Sequence, residues 1–156
     1  MKIALKFGIL LSLTTLLWLS FEYVAGFHTT LINYHPIVTN FIIIPAILIF
    51  RRAFIAIKNS SPQQLSFRSY FIEGLKLSLV IILLTPLEQY IFHHYINPEF
   101  FHAMIENTVA GNHASRAQAE AYFNFNNYVT EALMGTVFMG ILFSGIGAWR
   151  MSKNNS

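Results

Sequence analysis

The chain has 156 residues, a length that suits a single domain. Its composition is 54% hydrophobic and 11% charged, where soluble domains average roughly 45–50% and roughly 25%. That balance excludes an ordinary soluble domain, a disordered tail and a nucleic-acid binder, because so apolar a chain cannot present enough polar surface to water. The solvent it suits is a lipid bilayer. There is no cysteine, which removes disulfides, zinc–thiolate sites and thiol nucleophiles, and all seven acids are glutamates.

Four segments are long and apolar enough to cross a hydrocarbon core of roughly 30 Å. The first is predicted over about residues 7–24. The start up to Lys6 and the apolar run after it also have the shape of a signal peptide, with Val24 and Gly26 before a possible cut at Phe27. The length of the run, the missing Ala-x-Ala pattern and the nearby Glu22-Tyr23 favour a retained span. A short connection carrying Gly26, His28 and Asn33 leads to the second span, about residues 36–57, whose Arg51 and Arg52 put its last turns at an interface. Within it, Asn40 is expected to bond a neighbouring helix.

The cluster Asn59-Ser60-Ser61-Pro62 ends that helix. An interfacial approach follows, with Glu73 and Lys76 spaced to pair, and then the third span over about residues 70–92. Pro86 is expected to bend this helix and open polar backbone near Glu88. The connection at 93–127 is the only sizeable one. Asn97-Pro98-Glu99 reads as a helix start, and Phe100, Phe101, Met104, Ile105 and Val109 recur at helical spacing. Gly111-Asn112 stops that helix, and Ser115 with Gln118 forms a capping-box pattern for a second one. The pair is expected to lie on the outer membrane surface rather than over the mouth of the bundle. The fourth span, about residues 128–149, ends in an interfacial Trp149-Arg150 pair.

The fold class is therefore all-α, a polytopic integral membrane protein with a short helical pair on the outer face. Nine of the ten Lys and Arg fall on one side of this threading, and only Arg116 falls on the other. The positive-inside rule then puts both termini in the cytoplasm of a bacterial inner membrane.

The order of features resembles a known family. A Lys-rich start, a first span ending Phe21-Glu22-Tyr23, and Ser66-Phe67 leading through Gly74-Leu75-Lys76 into the third span carry the likeness. So do Tyr95-Ile96-Asn97-Pro98-Glu99-Phe100, an outer helical pair and a Gly-rich last span. The chain resembles the bacterial membrane-protein family known as domain of unknown function 4199, found mainly in Bacteroidetes. The resemblance implies a four-helix membrane protein and no reaction, so no catalytic residue is carried over. The outer pair is poorer in charge and richer in Ala and Asn than the family pattern.

Ionisable groups inside a membrane are candidates for function. From Lys6 to Glu22 and from Ile72 to Glu88 are 16 residues each, and from Glu131 to Arg150 are 19. At about 1.5 Å per residue these are about 24, 24 and 28 Å, so Glu22, Glu88 and Glu131 should share the outer edge of the core. Facing inward they would make a proton or cation site. Facing headgroup water they would be ordinary interfacial carboxylates. His28, His35, His93 and His94 lie near the same level, but no metal site is expected, because Glu88 and His93 are five apart and His93-His94 diverge around the helix.

The last span carries a ladder of small residues at every fourth position, Ala132, Thr136, Gly140, Ser144 and Ala148. Such a ladder lets another helix backbone approach closely, within the bundle or across a seam to a second chain. Asp and Cys are missing and no phosphate loop, GxSxG or HExxH pattern occurs, so no enzyme and no cofactor is expected. The residues favour a non-catalytic structural or accessory protein that packs with itself or with a larger membrane complex. The alternative is a small proton- or cation-coupled transporter or channel using the outer-leaflet glutamates.

Overall fold

A computed structural model describes residues 1–61 and 63–153; Pro62 of the expected breaker cluster lies outside the described residues. Helix α1 spans Lys2–Val24. After a turn, two 3-10 stretches, Ile32–Tyr34 and Thr39–Ile42, flank the short α2, His35–Val38, and lead into α3, Ile43–Ser60. Helix α4 spans Phe67–Ile91 and continues as one π-helical turn, Phe92–Ile96. Helices α5, Phe100–Ala110, and α6, Arg116–Tyr122, precede the long α7, Phe125–Lys153. The described residues contain no strand.

Four helical stretches are long and apolar enough to cross a membrane: Lys2–Val24, Ile32–Ser60, Phe67–Ile96 and Phe125–Lys153. Each reaches past the apolar window that marks it, because backbone hydrogen bonding continues into interfacial residues. Ser66 shows the point: its Oγ accepts from Ser69 N–H at 3.2 Å, so the interfacial approach is simply the first turn of α4. The outward surface confirms the solvent, with Leu17, Leu83 and Phe138 about two-thirds exposed or more. Such side chains need lipid around them.

Helix α4 is the centre of the bundle. Its Gly74 and Ser78 meet Ser144 and Gly140 of α7, so closely that a Cβ on Gly140 would sit 2.7 Å from Ser78 Cβ. Farther along, Thr85 Oγ1 lies 3.5 Å from Thr136 Oγ1. Ala148 is fully buried and Ala132 half-buried. The small-residue ladder is thus an internal face of α7 against α4. Its hydroxyls return to their own helix, Ser144 to Gly140 O at 2.6 Å and Thr136 to Ala132 O at 2.7 Å, and cost no unpaired donor. Phe54 of α3 fills the space beside Gly74 and Gly147.

Two expectations are corrected, at Asn40 and at the helical pair. Asn40 reaches no neighbouring helix; its Nδ2 donates to Pro36 O at 2.7 Å, one turn back in its own segment. Helix α4 continues past Pro86 as one helix to Ile91, and a π-helical turn follows at Phe92–Ile96. Of the helical pair, α5 folds over the end of the bundle. Phe100 and Met104 of α5 are buried with Ile32 and Phe92, packed on Leu16 and Leu19 of α1, so α5 closes one end of the bundle. Its apolar stripe finds protein rather than lipid because the two aromatic residues that begin it sit directly after the π turn. Helix α6 stands outside this plug with only Ala119 buried, opened by the expected capping box of Ser115 and Gln118.

Candidate functional site

The end of the bundle closed by α5 holds a cluster of buried polar groups. Glu22 occupies the last turn of α1 and is fully buried. The chain then reverses through a tight turn in which Phe27 N–H donates to Glu22 O at 2.9 Å and Leu31 N–H to Gly26 O at 2.8 Å. Gly26 takes φ +85°, a conformation that side-chain-bearing residues adopt at a cost. The reversal aims His28 back at Glu22, and His35 follows at the start of α2.

His28 Nε2 donates to Glu22 Oε2 at 3.2 Å, and His35 Nδ1 lies 3.2 Å from the same oxygen. His35 Nδ1 is off the hydrogen-bond line, leaving that nitrogen buried and without a hydrogen-bond partner among the described residues. The other carboxylate oxygen, Oε1, accepts from the indole N–H of Trp18 one turn below. Asn97 Nδ2 donates to His28 Nδ1 at 3.2 Å from the end of the π turn. Phe92 and Phe100 stand edge-on to the His28 ring, with centroids 5.5 and 5.0 Å away. One donor atom from each of Glu22, His28 and His35 lies within 4.8 Å of the others.

The three glutamates singled out from sequence are not brought together. Glu22 belongs to the histidine cluster. Glu88 is buried between α4 and α1 facing Ser12, and neither Glu88 Oε1 nor Ser12 Oγ closes a hydrogen bond among the described residues. Glu131 is exposed, hydrogen-bonded by the Tyr122 hydroxyl, whose ionisation the carboxylate pushes up from its ordinary value.

The histidines also divide. His93 is buried, its Nε2 bonded to Gln89 Oε1 at 3.1 Å and its ring stacked on Phe101 at 4.5 Å. His94 is exposed and stacks on Tyr90. Asn97, the first residue of the helix start read from sequence, serves His28, and Glu99 occupies the cap position of α5. Weighing ligand pairs along one helix did not reach the Glu22–His28–His35 cluster, because its spacing of six and seven residues straddles a reversal. Gly26, between Glu22 and His28, was the available signal.

A family described as "Protein of unknown function (DUF4199)" matches residues 6–153. The chain belongs to that family. No curated protein and no solved structure matches it. For this DUF4199 member the family match runs from Lys6 within α1 to the end of α7, and takes in the α5–α6 cap and every residue of the buried cluster. The site's chemistry must therefore be argued from its own atoms.

Proposed function

We propose that this is a non-enzymatic, multi-pass protein of the bacterial inner membrane, with both ends of the chain on the cytoplasmic side, that moves a proton or cation with Glu22 and Glu88. One observation carries the reading: both carboxylates are buried inside helices of membrane-spanning length, Glu22 at 0% and Glu88 at 6% exposure. An ionisable group in a membrane-spanning segment costs about 3 kcal/mol at the helix centre on insertion scales, less toward the interface, and is retained where a proton or ion uses it. Glu88 Oε1 closes no hydrogen bond among the described residues and faces Ser12, which leaves it able to accept a proton or ion. Four helices enclose a narrow passage at most, so the working unit in this reading is a homo-oligomer in the bilayer.

The accessory-protein reading drew on the ladder of α7 as a seam for a partner. With Gly140 and Ser144 packed against α4, the ladder supports the bundle itself, and the buried carboxylates become the stronger guide. The test is flux into proteoliposomes, with a pH- or cation-sensitive dye, for wild type and Glu88→Gln. Loss of flux in a variant that keeps its melting temperature supports the reading. Equal flux, or no flux in the wild type under any imposed proton or cation gradient, overturns it and returns the accessory role. Orientation is read separately: the cysteine-free chain accepts single introduced cysteines near Lys2, Arg116 and Lys153, and only the one at Arg116 should label from outside.

A further inference from the structure

We propose that Glu22, His28 and His35 form a binding site for one divalent transition-metal ion of the zinc class. The proposal rests on the cation-handling reading above and narrows it to one ion class at one end of the bundle.

Geometry comes first. Zinc held by imidazole nitrogen and carboxylate oxygen has bonds of about 2.0–2.2 Å, and the edge of a tetrahedron with such bonds is about 3.3–3.6 Å. The distances from Glu22 Oε2 to His28 Nε2 and to His35 Nδ1 are both 3.2 Å. All three donors fall within 4.8 Å, so closing the third edge needs only side-chain adjustment. His35 Nδ1 makes no hydrogen bond to the oxygen beside it. A buried imidazole nitrogen at contact distance from a carboxylate but off its hydrogen-bond line is placed for a third atom that both could bind.

The surrounding groups hold two of the ligands by their other ends. Trp18 N–H occupies Glu22 Oε1 and leaves Oε2 facing the histidines. Asn97 occupies His28 Nδ1 and leaves Nε2 facing the carboxylate. Metal-binding histidines characteristically have the remote nitrogen held this way. With a metal on Nε2, His28 Nδ1 carries the proton and Asn97 presents its amide oxygen, a half-turn of the same side chain. The phenyl rings of Phe92 and Phe100 keep water from the far side. His35 alone of the three retains side-chain exposure, 10%, and marks the way in.

The donor set chooses the ion. Two imidazoles and one carboxylate suit zinc and its neighbours, with a fourth position left for water. Calcium and magnesium require six or more oxygens, which this pocket does not offer. His93 is outside the set: the donor atoms that gather within 4.8 Å of one another belong to Glu22, His28 and His35, while His93 is bonded through Nε2 to Gln89 and stacks on Phe101.

The test uses the full chain in mild detergent, purified with a histidine-free tag and stripped with a chelator. Zn2+ is titrated calorimetrically, and Co2+ is used for its tetrahedral absorption band. We expect one ion per chain, at least ten-fold weaker binding in His28→Ala and in His35→Gln, and unchanged binding in His93→Ala. Asn97→Leu should weaken binding by about 10- to 100-fold while all three ligands remain. A wild type that binds neither ion, or His28→Ala and His35→Gln variants that bind as the wild type does, overturns the site. Binding is read without flux: a protein that binds Zn2+ but transports nothing keeps this site and loses the transport reading, and flux without Zn2+ binding does the reverse.

Discussion

Asn97 and His28 stand 69 residues apart in the chain and meet at 3.2 Å, the amide of one against Nδ1 of the other. The contact ties the π turn at the end of α4 to the reversal that follows α1, and fixes which nitrogen of His28 faces Glu22. It exists because the π turn bonds Asn97 N–H to Phe92 O at 2.8 Å, five residues back, and so carries Asn97 to the inside. Such turns frequently occur at functional sites.

That contact has a stability consequence. Asn97→Leu removes the amide and leaves a buried imidazole nitrogen unpaired, a change that costs about 1–3 kcal/mol. We expect a lower melting temperature in detergent, with helix content by circular dichroism unchanged below the transition. A melting curve superimposable on the wild type would show that His28 is held by other means.

The α4–α7 face predicts a graded glycine series. Alanine at Gly147 would place Cβ 2.2 Å from Phe54 Cε2, and alanine at Gly74 would place it 2.7 Å from Ser144 Oγ. Both should destabilise by about 1–3 kcal/mol, with Gly147→Ala the worse because an aromatic ring in a packed core yields less than a hydroxyl. Gly135→Ala meets nothing within 4 Å and should be neutral, or stabilising by up to about 1 kcal/mol through helix propensity. Thermal unfolding of the three variants checks the order, and an equal effect at Gly135 would refute the packing account.

Gly26→Ala isolates the reversal. The residue needs φ +85°, and a Cβ there would lie 2.9 Å from Thr30 Oγ1. The left-handed conformation alone costs about 1–2 kcal/mol for a residue with a side chain. Because His28 hangs on this turn, amide exchange should rise first at Phe27–Leu31 while α4 and α7 stay protected. Uniform loss of protection would mean that the turn is not an independent local unit.

The α5–α6 pair predicts an acid-sensitive link. Arg116 donates to Glu106 at 2.8 and 3.0 Å, and this pairing holds the Glu106 carboxyl below its ordinary range. A depressed carboxyl stabilises the folded pair at pH above its unfolded value, and that contribution disappears as pH falls through the folded value. Both groups are exposed and screened, so the global melting point should not move. In Arg116→Ala the NMR titration of Glu106 should shift upward toward a normal glutamate. An unchanged titration would remove Arg116 as the cause.

How much of this was legible beforehand follows from range. The four spans, the Ser115–Gln118 capping box and the Glu73–Lys76 pair depend on composition and on neighbours three or four residues away, and all are present. The inward turn of the α7 ladder was an open alternative, since small residues at every fourth position say that a backbone approaches and not whose. Counting residues along each helix predicts one level for Glu22, Glu88 and Glu131, but level is not facing. Which way a helix turns is set by the packing of its whole surface, here by Ser78 against Gly140 and by Phe54 against Gly147.

The sequence by itself determined the solvent, the number of crossings and the density of small residues on the last helix, because bilayer insertion and helix formation are decided by local hydrophobicity and backbone hydrogen bonding. Only the tertiary structure decided that α5 plugs the bundle, that Asn97 serves His28, and that Glu22 meets two histidines while Glu88 and Glu131 do not. Those contacts join segments far apart in the chain or across a reversal. Their partners are selected by shape complementarity in a close-packed interior, which no local pattern encodes.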